Sequence, residues 1–117
     1  MRSDQASTRR WLVDIRSHIE LVDQFLGDLA YEAFRDDPLR FYGVTRCLEI
    51  ISEASRRLPE GLKARHLSIP WREMAGAGNV YRHGYESVEP HDVWITIQDH
   101  LPALRAVVEA ELAALGS

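Results

Sequence analysis

The chain has 117 residues, 45% of them apolar, with 14 Lys+Arg against 18 Asp+Glu and a formal charge of −4, which fits one domain over residues 1–117 and excludes extensive disorder. No stretch approaches about eighteen uncharged apolar residues, and Met1 to Arg10 is polar and charged, so neither a membrane span nor a secretory leader is expected and the expected location is the cytoplasm. Net acidity also argues against a protein that coats nucleic acid, because displacing phosphate counterions takes a basic face.

From Thr8 to Leu29 the apolar residues Leu12, Ile15, Ile19, Val22 and Leu26 recur at spacings of three and four, the stripe of an amphipathic helix. Ser7 or Thr8 is its expected N-cap, residues 1–7 are expected to form a flexible N-terminus, and Gly27 falls near its end. Tyr31 to Arg35 predicts a short helical piece before a turn at Asp36-Asp37-Pro38. A second long helix follows from about Leu39 to Leu58, with a buried stripe of Val44, Cys47 or Leu48, Ile51, Ala54 or Ser55, and Leu58. Pro59 and Gly61 end it and Ser68-Ile69-Pro70 breaks the chain again, so Glu60 to Leu67 holds at most two turns. A third helix starts near Trp71, with Pro70 where a first turn tolerates it, and reaches Tyr81 to Tyr85. Gly76, Gly78 and Gly84 each weaken that helix by roughly 1 kcal/mol against alanine. Glu89-Pro90 opens the last helix, in which Val93, Trp94, Ile97, Leu101, Leu104, Val108 and Leu112 keep helical spacing and Pro102 is expected to kink or interrupt the run. The sequence shows no extended strand alternation, no repeat and no low-complexity segment. The expected fold is therefore all-α, an antiparallel bundle of four principal helices plus one or two short ones, and a core this small is expected to be completed by a second copy in a homodimer.

Charge is unevenly spread along this chain. Between Arg56 and His83 there are six basic and two acidic residues, net +4, while the remainder carries −8. Thirteen of the fourteen basic residues are arginine, which suits two-pronged phosphate contacts, although a base-composition bias gives the same count. Asn79-Val80-Tyr81-Arg82-His83-Gly84-Tyr85 is the densest polar cluster. On a helix Asn79 and His83 lie one turn apart on one face, and Tyr81 and Tyr85 form a second such pair. A histidine can exchange protons near neutral pH and an amide one turn away can orient it or hold a phosphate oxygen, yet a single histidine is more often a surface or cap residue. His83, His91 and His100 lack metal-ligand spacing, so no metal site is expected. Cys47, the lone cysteine, excludes an internal disulfide and sits in an apolar stripe, as a buried inert thiol does. Arg46, Glu49 and Glu53 share a face of the second helix. Such a row is usually a solvated edge; if it meets the third helix, Glu53 or Arg46 can orient His83 or bind phosphate.

The run Arg46-Cys47-Leu48-Glu49-Ile50-Ile51-Ser52-Glu53-Ala54 resembles the R-x-L-E-I-I-G-E-A helix of HepT-like proteins of the HEPN superfamily. Ile69-Pro70-Trp71, Gly76-Ala77-Gly78-Asn79 and His83-Gly84-Tyr85 resemble their I-P-W…G-M-R-N-x-x-x-H-x-Y segment, and Val93-Trp94 with Leu101-Pro102 resembles their closing helix. The resemblance spans roughly residues 10 to 112 in matching order and spacing. It implies a dimeric all-α HEPN bundle acting as the ribonuclease toxin of a prokaryotic toxin–antitoxin pair, with RNA as substrate, no cofactor, and an MNT-type minimal nucleotidyltransferase as antitoxin. In that family an arginine and a histidine form a metal-independent site across the dimer interface, which here assigns His83 as general acid/base, with Asn79 beside it. A base takes the proton of the ribose 2′-OH, the oxygen attacks the adjacent phosphorus and a cation steadies the added negative charge. Tyr85, two positions after the histidine, matches the tyrosine to which antitoxins of related systems attach AMP.

The sequence departs from that pattern twice. The family arginine aligns with Gly78, and losing one charge-stabilising donor costs about 100- to 1000-fold in rate. Arg82 is rotated by roughly 100° from His83 on a helix and substitutes only if the helix has frayed at Gly84, so the candidate cations are Arg82 under that condition, Arg72, Arg46 or an arginine of a second copy. Ser52 replaces a family glycine, which predicts a loosening of the close helix packing that the glycine allows. Two readings stand: a HepT-type ribonuclease with a relocated or weakened cation, or a catalytically inactive HEPN-fold module that binds nucleotide, RNA or a nucleotidyltransferase partner.

Overall fold

The computed structural model describes residues 2–116, with the side chains of Arg2, Ser3 and Tyr85 outside the described residues. Among these residues there are helices α1 (Arg2–Leu26), α2 (Tyr31–Arg35), α3 (Pro38–Arg56), α4 (Glu60–Ala64), α5 (Trp71–His83), α6 (Pro90–Ile95) and α7 (Leu101–Ala114), and no strand. A 3-10 turn, Tyr85–Ser87, follows α5, and one turn of π-helix, Thr96–His100, joins α6 to α7. α1, α3, α5 and the interrupted α6–α7 are the four principal helices, and α2 and α4 the short ones, so the fold is the expected all-α bundle. No helix among the described residues is long and apolar enough to cross a membrane.

Local chemistry sets most of the boundaries. Asp37 caps α3 by accepting a hydrogen bond from the Arg40 amide at 3.1 Å, and Pro38 fills the first helical position, where its missing N–H costs nothing. Gly27, at φ +52°, takes the left-handed conformation that ends α1. The start of α1 corrects the sequence reading. Its first turn lies at Arg2, ahead of the N-cap expected at Ser7 or Thr8. Nothing in residues 2–7 breaks a helix, Asp4 complements the positive N-terminal end, and extending a formed helix is far easier than starting one. Before Pro102 the Leu101 amide reaches back five residues to the Thr96 carbonyl, so the α-helical run is interrupted there by a π turn, as the proline led one to expect.

α3 is the central element, packed on α1 along one side and on α5 along another, while α1 also packs on α7. The Arg40 Nε donates to the Phe25 carbonyl at 2.7 Å at one end of the α1–α3 pair, and Arg57 stands 5.6 Å from the Trp11 ring centre at the other, so these helices run antiparallel. Arg105 pairs with Asp23 while Arg9 donates to the Leu115 carbonyl at 3.3 Å, which sets α7 antiparallel to α1. Both expected apolar stripes are buried. On α3 both members of each alternative pair, Cys47 with Leu48 and Ala54 with Ser55, are buried, because that helix is covered on two sides. Each fully buried leucine, isoleucine or valine contributes about 1.5–3 kcal/mol.

The segment between α3 and α5 is fastened by polar contacts. Trp71 Nε1 donates to the carbonyls of His66 at 3.0 Å and Lys63 at 3.2 Å. Glu111 of α7, nearly buried, accepts two hydrogen bonds from Arg65, at 2.8 and 3.2 Å, and one from His66 Nε2 at 2.6 Å. The Arg65 hydrogen bonds, with help from His66 and against the pull of burial, hold the Glu111 carboxyl below the usual glutamate range. A lowered folded pKa means that this stabilisation is complete above the unfolded value and is lost as pH falls through the folded one. Glu111→Gln is therefore expected to lower Tm at pH 7, and thermal melts should show its deficit against the parent shrinking as pH falls below about 4.3.

Candidate functional site

The α3–α5 contact turns on two small residues. Gly78 is buried against α3, and a Cβ built on it would lie 2.9 Å from Ser52 Cβ and nearer still to Ser52 Oγ. Ser52, itself buried, donates its hydroxyl to the α5 carbonyls of Met74 at 2.8 Å and Ala75 at 3.2 Å. Ser52 thus does not loosen the packing, which corrects the sequence expectation. The glycine that permits close approach stands on α5 instead of α3, and the serine adds hydrogen bonds across the seam.

Beside this seam, Tyr42, Arg46, Glu49, Glu53 and Arg57 follow one another at spacings of four, three, four and four along one face of α3. Arg46 pairs with Glu49 at 3.0 Å and Arg57 with Glu53 at 3.0 Å. Arg82 reaches over from α5 to donate to Glu49 at 3.0 Å and stands 3.9 Å from Glu53. Glu49 keeps only 16% of its side chain exposed. That burial alone would push its carboxyl up, but hydrogen bonds from Arg82 and Arg46 outweigh it and hold the group below its ordinary value. The glutamate row does meet the third helix, as the sequence allowed, but through Arg82. No hydrogen bond or ion pair joins His83 to Glu53 or Arg46 among the described residues.

Asn79 and His83 are both exposed, one turn apart at the end of α5. The helix is intact there, since the Gly84 amide bonds to the Val80 carbonyl at 2.8 Å, so Arg82 is committed to α3 and not to the Asn79/His83 face. Arg72 is exposed at the other end of α5, about 16 Å from His83 along the axis at 1.5 Å per residue, and one copy of the chain does not bring the two together. Tyr85 opens the 3-10 turn after α5, and its side chain lies outside the described residues. Tyr81 is half-buried, and burial pushes its phenol up while a hydrogen bond to Thr96 opposes that push. Cys47 is buried and burial likewise pushes its thiol up, away from the thiolate a nucleophile needs. Among the described residues no three of His, Cys, Asp and Glu are grouped to hold a metal ion.

The charge segregation seen along the chain is offset in part in space. Arg57, Arg65 and Arg82 of the basic segment each pair with a glutamate from outside it, namely Glu53, Glu111 and Glu49. Sequence reading missed the Ser52–Gly78 contact and the Arg82–Glu49 bridge, because both depend on the rotation of α5 against α3. The only trace in the sequence was that both departures from the family pattern exchange a small residue.

An antiparallel bundle with an exposed amide–histidine pair beside a string of arginine–glutamate pairs defines the class of fold and site. The family profile described as "Ribonuclease HepT-like" matches residues 15–111, and the chain belongs to this family. It is 37% identical over 103 residues to "Probable ribonuclease HepT" of Thermococcus cleftensis, covering 88% of this chain and 94% of that one. It is 32% identical over 101 residues to "Putative RNase MJ0125" of Methanocaldococcus jannaschii, covering 86% and 87% of the two chains. It is also 32% identical over 101 residues to "Putative RNase TTE0752" of Caldanaerobacter subterraneus, covering 86% and 90%. No solved structure matches the chain.

Two glycines on α5 test the seam. Gly76 is exposed with no atom near its added Cβ, so Gly76→Ala is expected to stabilise by up to about 1 kcal/mol. Gly78→Ala has the same helical gain but overpacks Ser52, and urea unfolding should show a loss of about 1–3 kcal/mol, relieved when Ser52→Gly is added.

Proposed function

We propose that this protein is the toxin of a prokaryotic toxin–antitoxin pair and acts as a metal-independent endoribonuclease at a site formed across a homodimer. The observation that carries the reading is the exposed Asn79/His83 pair on α5, in a chain whose family is described as ribonuclease-like. His83 takes the proton of a ribose 2′-OH, the 2′ oxygen forms a bond to the adjacent phosphorus, and the bond from phosphorus to the 5′ oxygen breaks. The departing oxygen gains a proton, leaving a 2′,3′-cyclic phosphate and a 5′-hydroxyl. Asn79, one turn before His83, holds a phosphate oxygen or the ring. Arg46, with 66% of its side chain exposed, is the cation nearest in chemistry to the missing family arginine, and Arg72 of the second copy is the alternative. Glu53 supports the arrangement through Arg57 and Arg82. The partner is an MNT-type minimal nucleotidyltransferase, and Tyr85 is the residue it modifies with AMP.

A second reading has its own support. Gly78 stands where the family pattern has arginine, and Ser52 leaves no room for a side chain there, which favours a catalytically inactive HEPN-fold module that binds nucleotide, RNA or a nucleotidyltransferase. Incubating the purified protein with RNA in EDTA, beside His83→Ala, separates the two. Cleavage that the substitution abolishes is the expected result, and binding without cleavage by either form supports the module.

Gly78→Arg by itself is expected to destabilise the α3–α5 seam and leave cleavage no faster. Ser52→Gly with Gly78→Arg opens the space first, and cleavage by the double variant should rise by about 100-fold or more over the parent. Rates of the parent, both single variants and the double variant on one RNA substrate, with melting temperatures alongside, check this.

A further inference from the structure

We propose that the outer face of α3 is a subsite row for single-stranded RNA, in which the Tyr42 ring and the guanidinium groups that rest on Trp11 each stack one base of a short tract and Arg46 takes the phosphate between them. This rests on the ribonuclease reading and adds to it the form of RNA that the site accepts. Two clefts flank the Arg46–Glu49 pair, and both residues line both clefts. One, of about 210 Å³, is lined by Phe41, Tyr42, Thr45 and Tyr81 beside that pair. The other, of about 170 Å³, is lined by Trp11, Asp14, Glu53 and Arg82 beside it. Each is below the roughly 300 Å³ at which sites for whole small molecules begin, the scale of one planar ring system.

The chemistry around the clefts fits bases and phosphates. Tyr42 is 61% exposed and meets the Phe41 ring edge-on at 5.7 Å between centres, so much of an aromatic side chain faces outward. Arg10 and Arg57 stand 5.0 and 5.6 Å from the Trp11 ring centre. A guanidinium stacked at an indole supplies a second flat face for a base and a charge for its phosphate. Glu49 and Glu53 are each bonded to arginine, so they fix the guanidinium positions along the row. Stacking on rings needs free base faces, which a duplex hides, and it tolerates any sequence because every base has a π-face.

The test uses the full chain carrying His83→Ala, so that RNA stays intact, and a short labelled single-stranded oligoribonucleotide. Trp11→Leu and Tyr42→Leu are each expected to weaken binding about tenfold, while Trp11→Phe and Tyr42→Phe keep it. An abasic ribose-phosphate oligomer of equal length should bind the parent and both leucine variants equally weakly. Thermal melting identifies any loss of folding in Trp11→Leu, and Tyr42→Leu, at an exposed position, carries the test independently. The proposal is overturned if the parent binds no RNA, if both leucine variants bind within about twofold of it, or if the abasic oligomer binds as tightly as the normal one. His83-dependent cleavage with ring-independent binding would remove the subsites and leave the ribonuclease standing. Ring-dependent binding without cleavage would do the reverse.

Discussion

At Gly78 the backbone of α5 lies against Ser52 of α3 with no space for even a methyl group, and the serine hydroxyl is bonded into the α5 carbonyls. That contact sets the rotation and height of α5. It turns Arg82 toward the glutamates of α3 and leaves Asn79 and His83 facing outward, since those positions lie further round the same helix. A residue that looks like the loss of a catalytic cation is thus also half of a packing solution. The two positions at which the sequence departs from the pattern it resembles are in direct contact in this chain. Residues in direct contact rarely act additively, so neither position can be understood by substituting it alone.

Electrostatics follow the same geometry. Three arginines that cluster along the chain, Arg57, Arg65 and Arg82, are drawn to separate glutamates on α3 and α7, so that part of the positive charge is paired locally. Net acidity still argues against coating a polyanion. It does not bear on a narrow row of oriented guanidinium groups, because a bound phosphate meets the nearest charges and not the average.

The helices were legible from periodicity because α1 and α3 bury nearly uninterrupted apolar stripes, and Asp37-Pro38 and Gly27 carry their boundary chemistry in their own side chains or backbone freedom. The first turn of α1 was not, since a cap residue such as Ser7 or Thr8 marks where a helix can start, and a chain with no breaker before it can simply continue. The Asn79/His83 pair was legible as an i, i+4 relation within one helix. Relations between helices were not. Arg82 with Glu49, Ser52 with Gly78 and Trp11 with Arg57 join residues from different elements, and only the packing of α3 against its two neighbours decides them.

The π turn at Thr96–His100 resolves a conflict of phase. Val93, Ile97 and Leu101 are spaced by two successive fours, and on a continuous α-helix that spacing would carry them about 80° around the axis. The wider turn absorbs this drift, so that all three remain buried together with Leu104, Val108 and Leu112. Pro102 is therefore less a defect in the last helix than the start of a second helical frame, reset by one turn so that both halves present their apolar edge to the same core.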